Sequence, residues 1–401
     1  MLPRLLLPVL LSLLCAPLGA GVGPHGELLV ASFSTNQVLR YDLETGALLG
    51  VAASGGGLVQ PSAVLCSPSG DVLVASFGTH RILRYSATGA FLGELVSTGS
   101  GGLFGPADMA IGPDGALYVT SSLTGAVLRY SLATGAFLGA VIQTGSGLPG
   151  VASLAFGPDG DLFVSSTTEH RIARLDAQTG VLQPNFVPSG SGGLFRPRGL
   201  TFGPSGLLVA SQGPSSVLRF HSVTGAFLGV LVGPGVGGVI GARDLALDLD
   251  GRLNVASFDD STVKRFSATS GAFLQTLVTA GAGGLVGPAA LCVVPPPPLT
   301  LADPAPGVTG VVNRIEVSFA TPGEAVIVAV GLQLGALFVP SCNVTIGLAS
   351  PLVLGTPVAN AAGVARLDVP VPDFVSGLTL LLQAFEPASC RVSAVESFSF
   401  P

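Results

Sequence analysis

The sequence has no tryptophan and a single lysine, and charged residues make up only 10% of its 401 positions. With a formal net charge of -6, the chain offers no basic field of the kind that attracts nucleic acid or anionic lipid. Nucleic acid is therefore not an expected partner. Apolar stripes with a helical period are also missing, whereas 57 Gly and 31 Pro favour strands joined by tight turns.

Long apolar runs are lacking as well, except at the N-terminus. A positive charge at Arg4, an apolar stretch over residues 5–14 and small residues up to Ala20 are typical of an export signal. We expect residues 1–20 to be removed near Ala20, which predicts a secreted, extracytoplasmic protein without a membrane span. Two alternatives are an uncleaved anchor and a lipid attachment at Cys15.

What the sequence does contain is a unit of about 45 residues that recurs six times. A Val-x-Ser triplet marks each copy, and a strand arginine and a Thr-Gly or Ser-Gly pair follow it with the same period. The marker valines are Val30, Val74, Val119, Val164, Val209 and Val255. Short β-type runs repeated at this spacing are typical of propeller blades.

Each copy predicts four strands, which the third copy shows most clearly at residues 108–111, 116–120, 126–131 and 136–142. Glycines between the first and second strands, and between the third and fourth, suit hairpin turns. The first copy begins at a second strand, residues 27–31, and the last ends with an additional first strand, residues 289–294. We expect these two strands to pair, which closes a ring of six blades without a free edge.

Four prolines at residues 295–298 predict a linker between two domains, a six-bladed propeller at 21–294 and a second domain at 299–401. The second domain loses the repeat and has about seven β runs, as expected for a small Ig-like β-sandwich. The fold class is therefore all-β.

The cysteines divide between these domains. In an exported chain we expect Cys342 and Cys390 to form a disulfide in the sandwich. Cys66 and Cys292 lie in first strands of neighbouring blades, one register step apart. Because side chains alternate along a strand, this offset argues against a bond, and buried free thiols are the expected state.

The repeat resembles the NHL propeller family. The matching segments are GPDGDLFV at 157–164 followed by EHRI at 169–172, and GDVLV at 70–74 followed by THRI at 79–82. Unlike that family, all six copies here have Ser where the second strand ends with an acidic residue. The repeat is also similar to streptogramin lyase (virginiamycin B lyase-like) and gluconolactonase-like propellers, although streptogramin lyases have seven blades. This resemblance implies a loop face that carries His, Glu or metal-binding carboxylates.

Residues that recur in every blade are explained by turns and packing, so candidate site residues are those that depart from the repeat. In the longer loops between blades and between second and third strands, these are His170, Arg198, Arg243, Asp244 and Asp108. Asp108 and Asp244 occupy one repeat position, three blades apart. Solvated loop charges are the alternative reading of this set.

The favoured function is a secreted binding scaffold for an extracellular protein, a glycan or a small ligand on this loop face. The alternative is an extracellular lyase or hydrolase of the streptogramin lyase or gluconolactonase-like type. The binding role is favoured because no acid-base pair or metal-ligand set converges in the loops. No cofactor is expected, and a divalent cation would belong to the enzymatic alternative.

Overall fold

The computed structural model describes residues 26–176, 181–248, 250–305, 307–309, 311–339, 344–371, 375–376, 378–389 and 391–400. The predicted export signal and the predicted pair Cys342 and Cys390 lie outside these residues. The chain divides into two compact units, Glu27–Pro295 and Pro296–Pro401. No helix among the described residues is long and apolar enough to cross a membrane.

The first unit is built from short antiparallel strands and five single-turn 3-10 segments. The 3-10 segments are Phe77–Thr79, Ser100–Gly102, Ser191–Gly193, Val236–Gly238 and Ala282–Gly284. The strands are β1 (Glu27–Ser32), β2 (Gln37–Asp42), β3 (Leu48–Ala53), β4 (Pro61–Cys66), β5 (Val72–Ser76), β6 (Arg81–Tyr85), β7 (Phe91–Val96), β8 (Pro106–Ile111), β9 (Leu117–Ser121), β10 (Ala126–Tyr130), β11 (Phe137–Ile142), β12 (Val151–Phe156), β13 (Leu162–Ser166), β14 (Arg171–Leu175), β15 (Leu182–Val187), β16 (Pro197–Gly203), β17 (Gly206–Ser211), β18 (Ser216–Phe220), β19 (Phe227–Val232), β20 (Ala242–Leu247), β21 (Arg252–Ser257), β22 (Thr262–Ser267), β23 (Phe273–Val278) and β24 (Pro288–Val294).

These strands form four-stranded antiparallel sheets, which we number 1 to 6 in chain order. Sheets 2 to 6 each consist of four consecutive strands, from β4–β7 to β20–β23. Sheet 1 has the order β24-β1-β2-β3, so the last strand pairs with the first as the sequence predicts. The first strand of each sheet packs against the first strand of the next, and this series returns from β24 to β4. The architecture is all-β and consistent with a propeller.

The hydrophobic cores of this unit lie between neighbouring sheets. Between sheets 2 and 3, for example, Leu73 and Ile82 pack with Leu117, Val119 and Leu128. Because each sheet is covered on both faces, the inner strands are apolar at successive positions, and all six residues of β1 are buried. Burial of both faces of each sheet accounts for the high mean hydropathy of the chain, +0.68.

The hairpin turns form where the repeat places glycine. Gly115 joins β8 to β9 with φ of 75°, and Gly135 joins β10 to β11 with φ of 71°. A side chain would be strained at these angles, and a Cβ on Gly135 would in addition clash with the Leu95 carbonyl of the preceding sheet. The turn glycines therefore also set the spacing between sheets.

The second unit contains β25 (Thr300–Leu301), β26 (Val312–Ser318), β27 (Ile327–Gly331), β28 (Leu334–Val339), β29 (Val344–Leu348), β30 (Leu352–Gly355), β31 (Ala365–Pro370), β32 (Thr379–Glu386), β33 (Arg391–Val392) and β34 (Glu396–Ser399). One sheet has the order β25-β26-β31, and another has β30-β27-β32-β33 with β34 also on β32. Strands β28 and β29 form a hairpin. One core, which includes Ile315 and Val317 of the first sheet and Val328 and Leu382 of the second, joins the two larger sheets.

A buried carboxylate ties together two distant turns of this second unit. Glu386, at the end of β32, accepts the backbone N–H of Thr321 at 2.6 Å and pairs with Arg391 Nη2 at 2.8 Å. Its side chain is fully buried, and the bonds from Ser389, Arg391 and Thr321 hold its pKa below the ordinary range against the effect of burial. Removing one partner would leave a buried charge, so these residues act together.

Candidate functional site

A cavity of about 230 Å³ lies in the first unit at the N-terminal ends of the innermost strands. The second residue of each first strand contributes to its wall, and these residues are Ser62, Ala107, Ala152, Arg198, Arg243 and Ala289. The third residues add Asp108, Ser153, Gly199, Asp244 and Ala290. Equivalent repeat positions thus form two layers around one space, and only a few of them carry charge.

Arg198 and Arg243 are neighbours in the layer of second residues. Arg198 Nε donates a hydrogen bond to Gln212 Oε1 at 3.1 Å. The Arg243 guanidinium lies over the rings of Phe258 and Phe33, at 4.2 and 5.0 Å from their centroids. Burial, together with repulsion from Arg198, lowers the pKa of Arg243 to about 9, although Asp244 and Asp259 oppose the shift. The two cations therefore destabilise each other in a poorly solvated place.

Within the described residues, neither arginine makes an ion pair. Most third-strand arginines do pair with a carboxylate, as Arg84 does with Asp71 at 2.6 Å, although Arg219 on β18 has no such pair among the described residues. A buried cation is normally stabilised by a carboxylate partner. Arg198 and Arg243 instead direct positive charge into the cavity, and at Arg243 the carboxyls of Asp244 and Asp259 offset this charge only in part.

Asp108 and Asp244 occupy the layer of third residues, where each contacts the next sheet. Asp108 Oδ2 accepts hydrogen bonds from Ser153 Oγ at 2.6 Å and from Leu154 N at 3.0 Å. Asp244 Oδ2 accepts the N–H of Leu291 at 2.8 Å, which links sheet 6 to β24. Each carboxyl therefore has a structural role as a bridge between innermost strands.

The pKa values of both carboxyls are raised above the ordinary range. Burial is the main cause for each, and at Asp244 the nearby Asp108 carboxyl adds to the rise. The sequence places these residues three blades apart, yet the cavity is narrow enough for their charges to interact. Gly199 helps to make this arrangement possible, because a Cβ there would lie 2.5 Å from Asp244 Oδ1.

His170, the fifth candidate from the sequence, is not among the residues that line the cavity. It has a φ of 55° and its Nδ1 accepts the N–H of Arg196 at 3.2 Å, while its ring stacks on Phe195 at 4.1 Å. His80, two repeats earlier, makes the equivalent contacts: its Nδ1 accepts the N–H of Gly105, and its ring stacks on Phe104. The His-Arg-Ile element thus fastens a loop to the next sheet, and we place His170 outside the candidate site.

A third layer, made by the residue after each second strand, was missed by the sequence analysis. Its members are Phe33, Phe77, Ser122, Thr167, Gln212 and Phe258. The three phenylalanines come from sheets 6, 1 and 2, and the Phe33 ring centroid lies 6.4 Å from that of Phe77 and 6.0 Å from that of Phe258. The three polar residues come from sheets 3, 4 and 5. The signal was present directly after each Val-x-Ser triplet, where the side chain changes from copy to copy.

The cavity therefore has an aromatic side and a polar side, with two arginines beneath them. Phe33 and Phe77 line the first side, whereas Ser122, Thr167 and Ser153 line the second. Among the described residues no group of three or more His, Cys, Asp or Glu side chains is arranged to hold a metal ion. The donors present suit an organic anion better than a cation.

Comparison with protein-family models gives no match, and comparison with curated protein sequences gives no significant match. Solved structures do match. A chain of a nidogen/laminin complex aligns at 15% identity with a TM-score of 0.54, covering 67% of this chain and 98% of that one. A protein of unknown function from Bacteroides caccae gives 14% identity and a TM-score of 0.51 with the same two coverages. A streptogramin B lyase structure gives 16% and 0.47, covering 65% of this chain and 83% of that one.

A gluconolactonase-like structure gives 18% identity and a TM-score of 0.48, covering 65% of this chain and 86% of that one. The structures that match include streptogramin B lyase, gluconolactonase-like and other propeller proteins. At these identities the similarity supports the propeller fold and does not assign a ligand or a reaction.

Proposed function

We propose that this chain is a secreted, six-bladed propeller of the NHL type that binds a small organic anion in the cavity at the mouth of its channel. The anion carries an apolar or aromatic ring in addition to its charged group. The observation that supports this proposal most directly is the pair Arg198 and Arg243, two half-buried cations that line one cavity without an ion pair in the described part of the chain.

The electrostatics of the cavity favour an anion over a neutral ligand. Burial raises the pKa of Asp244 to about 8, so its carboxyl stays largely protonated at neutral pH and compensates the arginines poorly. Asp108, with a pKa raised to about 6, is largely ionised there, but its Oδ2 already accepts hydrogen bonds from Ser153 and Leu154. A carboxylate or phosphate between the guanidiniums would accept charge-assisted hydrogen bonds and remove the repulsion between them. Relief of the repulsion between the two guanidiniums would therefore contribute to the affinity for an anion.

The walls of the cavity determine which chemical groups the ligand can carry besides its anionic group. Phe33 and Phe77 offer an apolar surface on one side, and the hydroxyls of Ser122 and Thr167 offer hydrogen bonds on the other. A cavity of about 230 Å³ admits a molecule of roughly ten non-hydrogen atoms, since small ligands fill most of the pocket that holds them. A flat aryl carboxylate meets these requirements.

The closed series of first-strand contacts supports the six-blade count, and the facing sheets of the second unit support a β-sandwich there. We propose that the propeller carries the binding activity and that the sandwich at residues 299–401 is a separate module. The sequence also allows a protein or a glycan as the partner. Such a partner would have to place an acidic group in the same cavity.

Titration with benzoate, using benzamide as the uncharged analogue of the same shape, tests the proposal. Isothermal calorimetry on the full chain should detect benzoate and not benzamide. Arg198→Ala or Arg243→Ala should each weaken benzoate binding by roughly 10- to 100-fold, the loss expected for one charge-assisted hydrogen bond, and the double variant should abolish it.

Arg219→Ala provides a matched control, because Arg219 lies on β18 of the same sheet as Arg198 but does not line the cavity. Its affinity should equal that of the unsubstituted protein. Equal binding of benzoate and benzamide, or unchanged benzoate affinity in the double arginine variant, would contradict the proposal. A wider series of aryl and alkyl carboxylates and phosphates then ranks the natural ligand class.

A second candidate function is acid-base catalysis, which the raised pKa values of Asp108 and Asp244 favour. Such carboxyls can exchange protons near neutral pH. Both, however, already accept backbone hydrogen bonds from the next sheet, which leaves fewer lone pairs for a substrate. Turnover of a lactone panel, lost in Asp108→Asn and in Asp244→Asn while benzoate still binds, would establish the enzyme.

A further inference from the structure

The sulfur atoms of Cys66 and Cys292 are in contact in the first unit. Cys66 is the last residue of β4, Cys292 lies in β24, and the Cys292 thiol contacts Cys66 Sγ at 3.0 Å. This separation is only about 1 Å longer than a disulfide bond. Neither cysteine is in a disulfide in the structure, as the sequence predicts. The register argument against a bond nevertheless does not apply, because side chains alternate only within one sheet, whereas β4 and β24 belong to sheets 2 and 1.

We propose that Cys66 and Cys292 form a disulfide that locks the closure of the ring. The oxidant is a disulfide of the glutathione class. The thiolate of one cysteine attacks a sulfur of the oxidant and releases one glutathione thiolate. The second cysteine loses its proton, attacks the resulting mixed disulfide and releases the other glutathione. The protein loses two electrons and two protons, which reduce the oxidant to two thiols.

The position of the two strands gives this bond a specific effect. β24 is contributed by the C-terminal end of the repeats, and it completes sheet 1 by pairing with β1. β4 is the innermost strand of the adjacent sheet, and it packs against β24. A bond between residues 226 positions apart would restrict the unfolded chain strongly and would hold β24 when sheet 1 opens.

The surroundings favour formation and retention of the bond. Cys292 is half-buried, so an oxidant can reach it first, and Cys66 is only 8% exposed. The hydrogen bond with Cys66 lowers the pKa of the Cys292 thiol, which raises the fraction of attacking thiolate. Once formed, the bond is shielded by the packed sheets from exchange with other thiols.

Peptide mapping of the full chain tests the proposal. The protein is equilibrated with oxidised and reduced glutathione, quenched in acid, digested without reduction and analysed by mass spectrometry. We expect a fragment with Cys66 linked to one with Cys292 and lighter by two hydrogen atoms. Reduction should lower the thermal midpoint of the first unit by roughly 5 °C or more, an effect that Cys66→Ser/Cys292→Ser removes.

Cys342→Ser/Cys390→Ser is the matched control, since it leaves the propeller pair in place, and it should retain the linked fragment. The direct mapping needs no variant, so its result does not depend on how well a variant folds. Recovery of Cys66 and Cys292 as free thiols, as glutathione adducts or in bonds with other cysteines after equilibration would overturn the proposal.

Discussion

Arg198 and Arg243 are the second residues of β16 and β20, and they occupy the same repeat position in adjacent sheets. Elsewhere in this layer the side chain is Ser or Ala. In two adjacent sheets, an arginine therefore stands where the other sheets have a small residue, and neither arginine forms an ion pair with the described residues. Such an arrangement costs stability and persists in proteins that use the charge for binding.

The first prediction is that Arg243→Met stabilises the unliganded protein. Methionine keeps much of the contact with Phe33 and Phe258 but removes a cation whose pKa burial lowers to about 9. After allowance for solvent in the cavity and for the lost cation–π contacts, we expect a gain of about 1 kcal/mol in the free energy of unfolding. Denaturant unfolding measures it, with Arg219→Met as control, and a loss of stability would refute the interpretation.

The repeat and its turns could be predicted from the sequence because they depend on local chemistry. Three of the four strands predicted for the third copy begin within one residue of the observed strands, and β24 pairs with β1 as expected. Arg198, Arg243, Asp108 and Asp244 were found as departures from the repeat, and the structure brings them to one cavity.

What the sequence could not indicate depends on contacts between sheets. Phe33 and Phe258 lie 225 residues apart in the chain, and only closure of the ring brings their rings together. The same closure brings the sulfur atoms of Cys66 and Cys292 to 3.0 Å, a proximity that alternation within one strand did not indicate, although the expected absence of a disulfide holds in the structure. The hydrogen bond that His170 accepts from the Arg196 N–H, at the start of the following sheet, also has no signature in a single copy.

The second prediction concerns the pH dependence of anion binding. Burial raises the pKa of Asp108 to about 6 and that of Asp244 to about 8, so Asp108 ionises just below neutral pH and Asp244 just above it. Each ionised carboxylate repels an anionic ligand and partly neutralises the arginines, which weakens binding. Benzoate affinity should therefore fall from about pH 5 to about pH 9, beyond the range in which benzoate itself titrates. In Asp244→Asn the fall should be smaller, whereas an unchanged profile would exclude Asp244 as its source.

The third prediction concerns Glu27, whose carboxylate oxygens have no hydrogen-bond partner among the described residues. Burial raises its pKa from 4.5 to about 7, although Arg40 Nη1 lies 3.4 Å from Oε2. The folded protein therefore binds a proton more strongly than the unfolded chain between these values, and this group's stabilising contribution is lost as the pH rises from 4.5 to about 7.

The expected decrease in the free energy of unfolding is on the order of 2–3 kcal/mol, measured by denaturant titration at several pH values. Glu27→Gln should remove this part of the slope. Glu94→Gln, which changes a more exposed carboxylate on β7, should leave the slope intact. A Glu27→Gln variant with the same pH dependence as the unsubstituted protein would show that another group is responsible.

The fourth prediction separates fold from binding at His170. Asn36 occupies the equivalent position in sheet 1, also with a left-handed backbone, and its Oδ1 accepts the N–H of Gln60 at 2.8 Å. Because asparagine tolerates this conformation and supplies the same acceptor, His170→Asn should retain most of the stability. His170→Ala removes the acceptor and should cost about 1 kcal/mol in unfolding experiments. Benzoate affinity should be the same in both variants, because His170 does not line the cavity; a selective loss of affinity with unchanged stability would return His170 to the site.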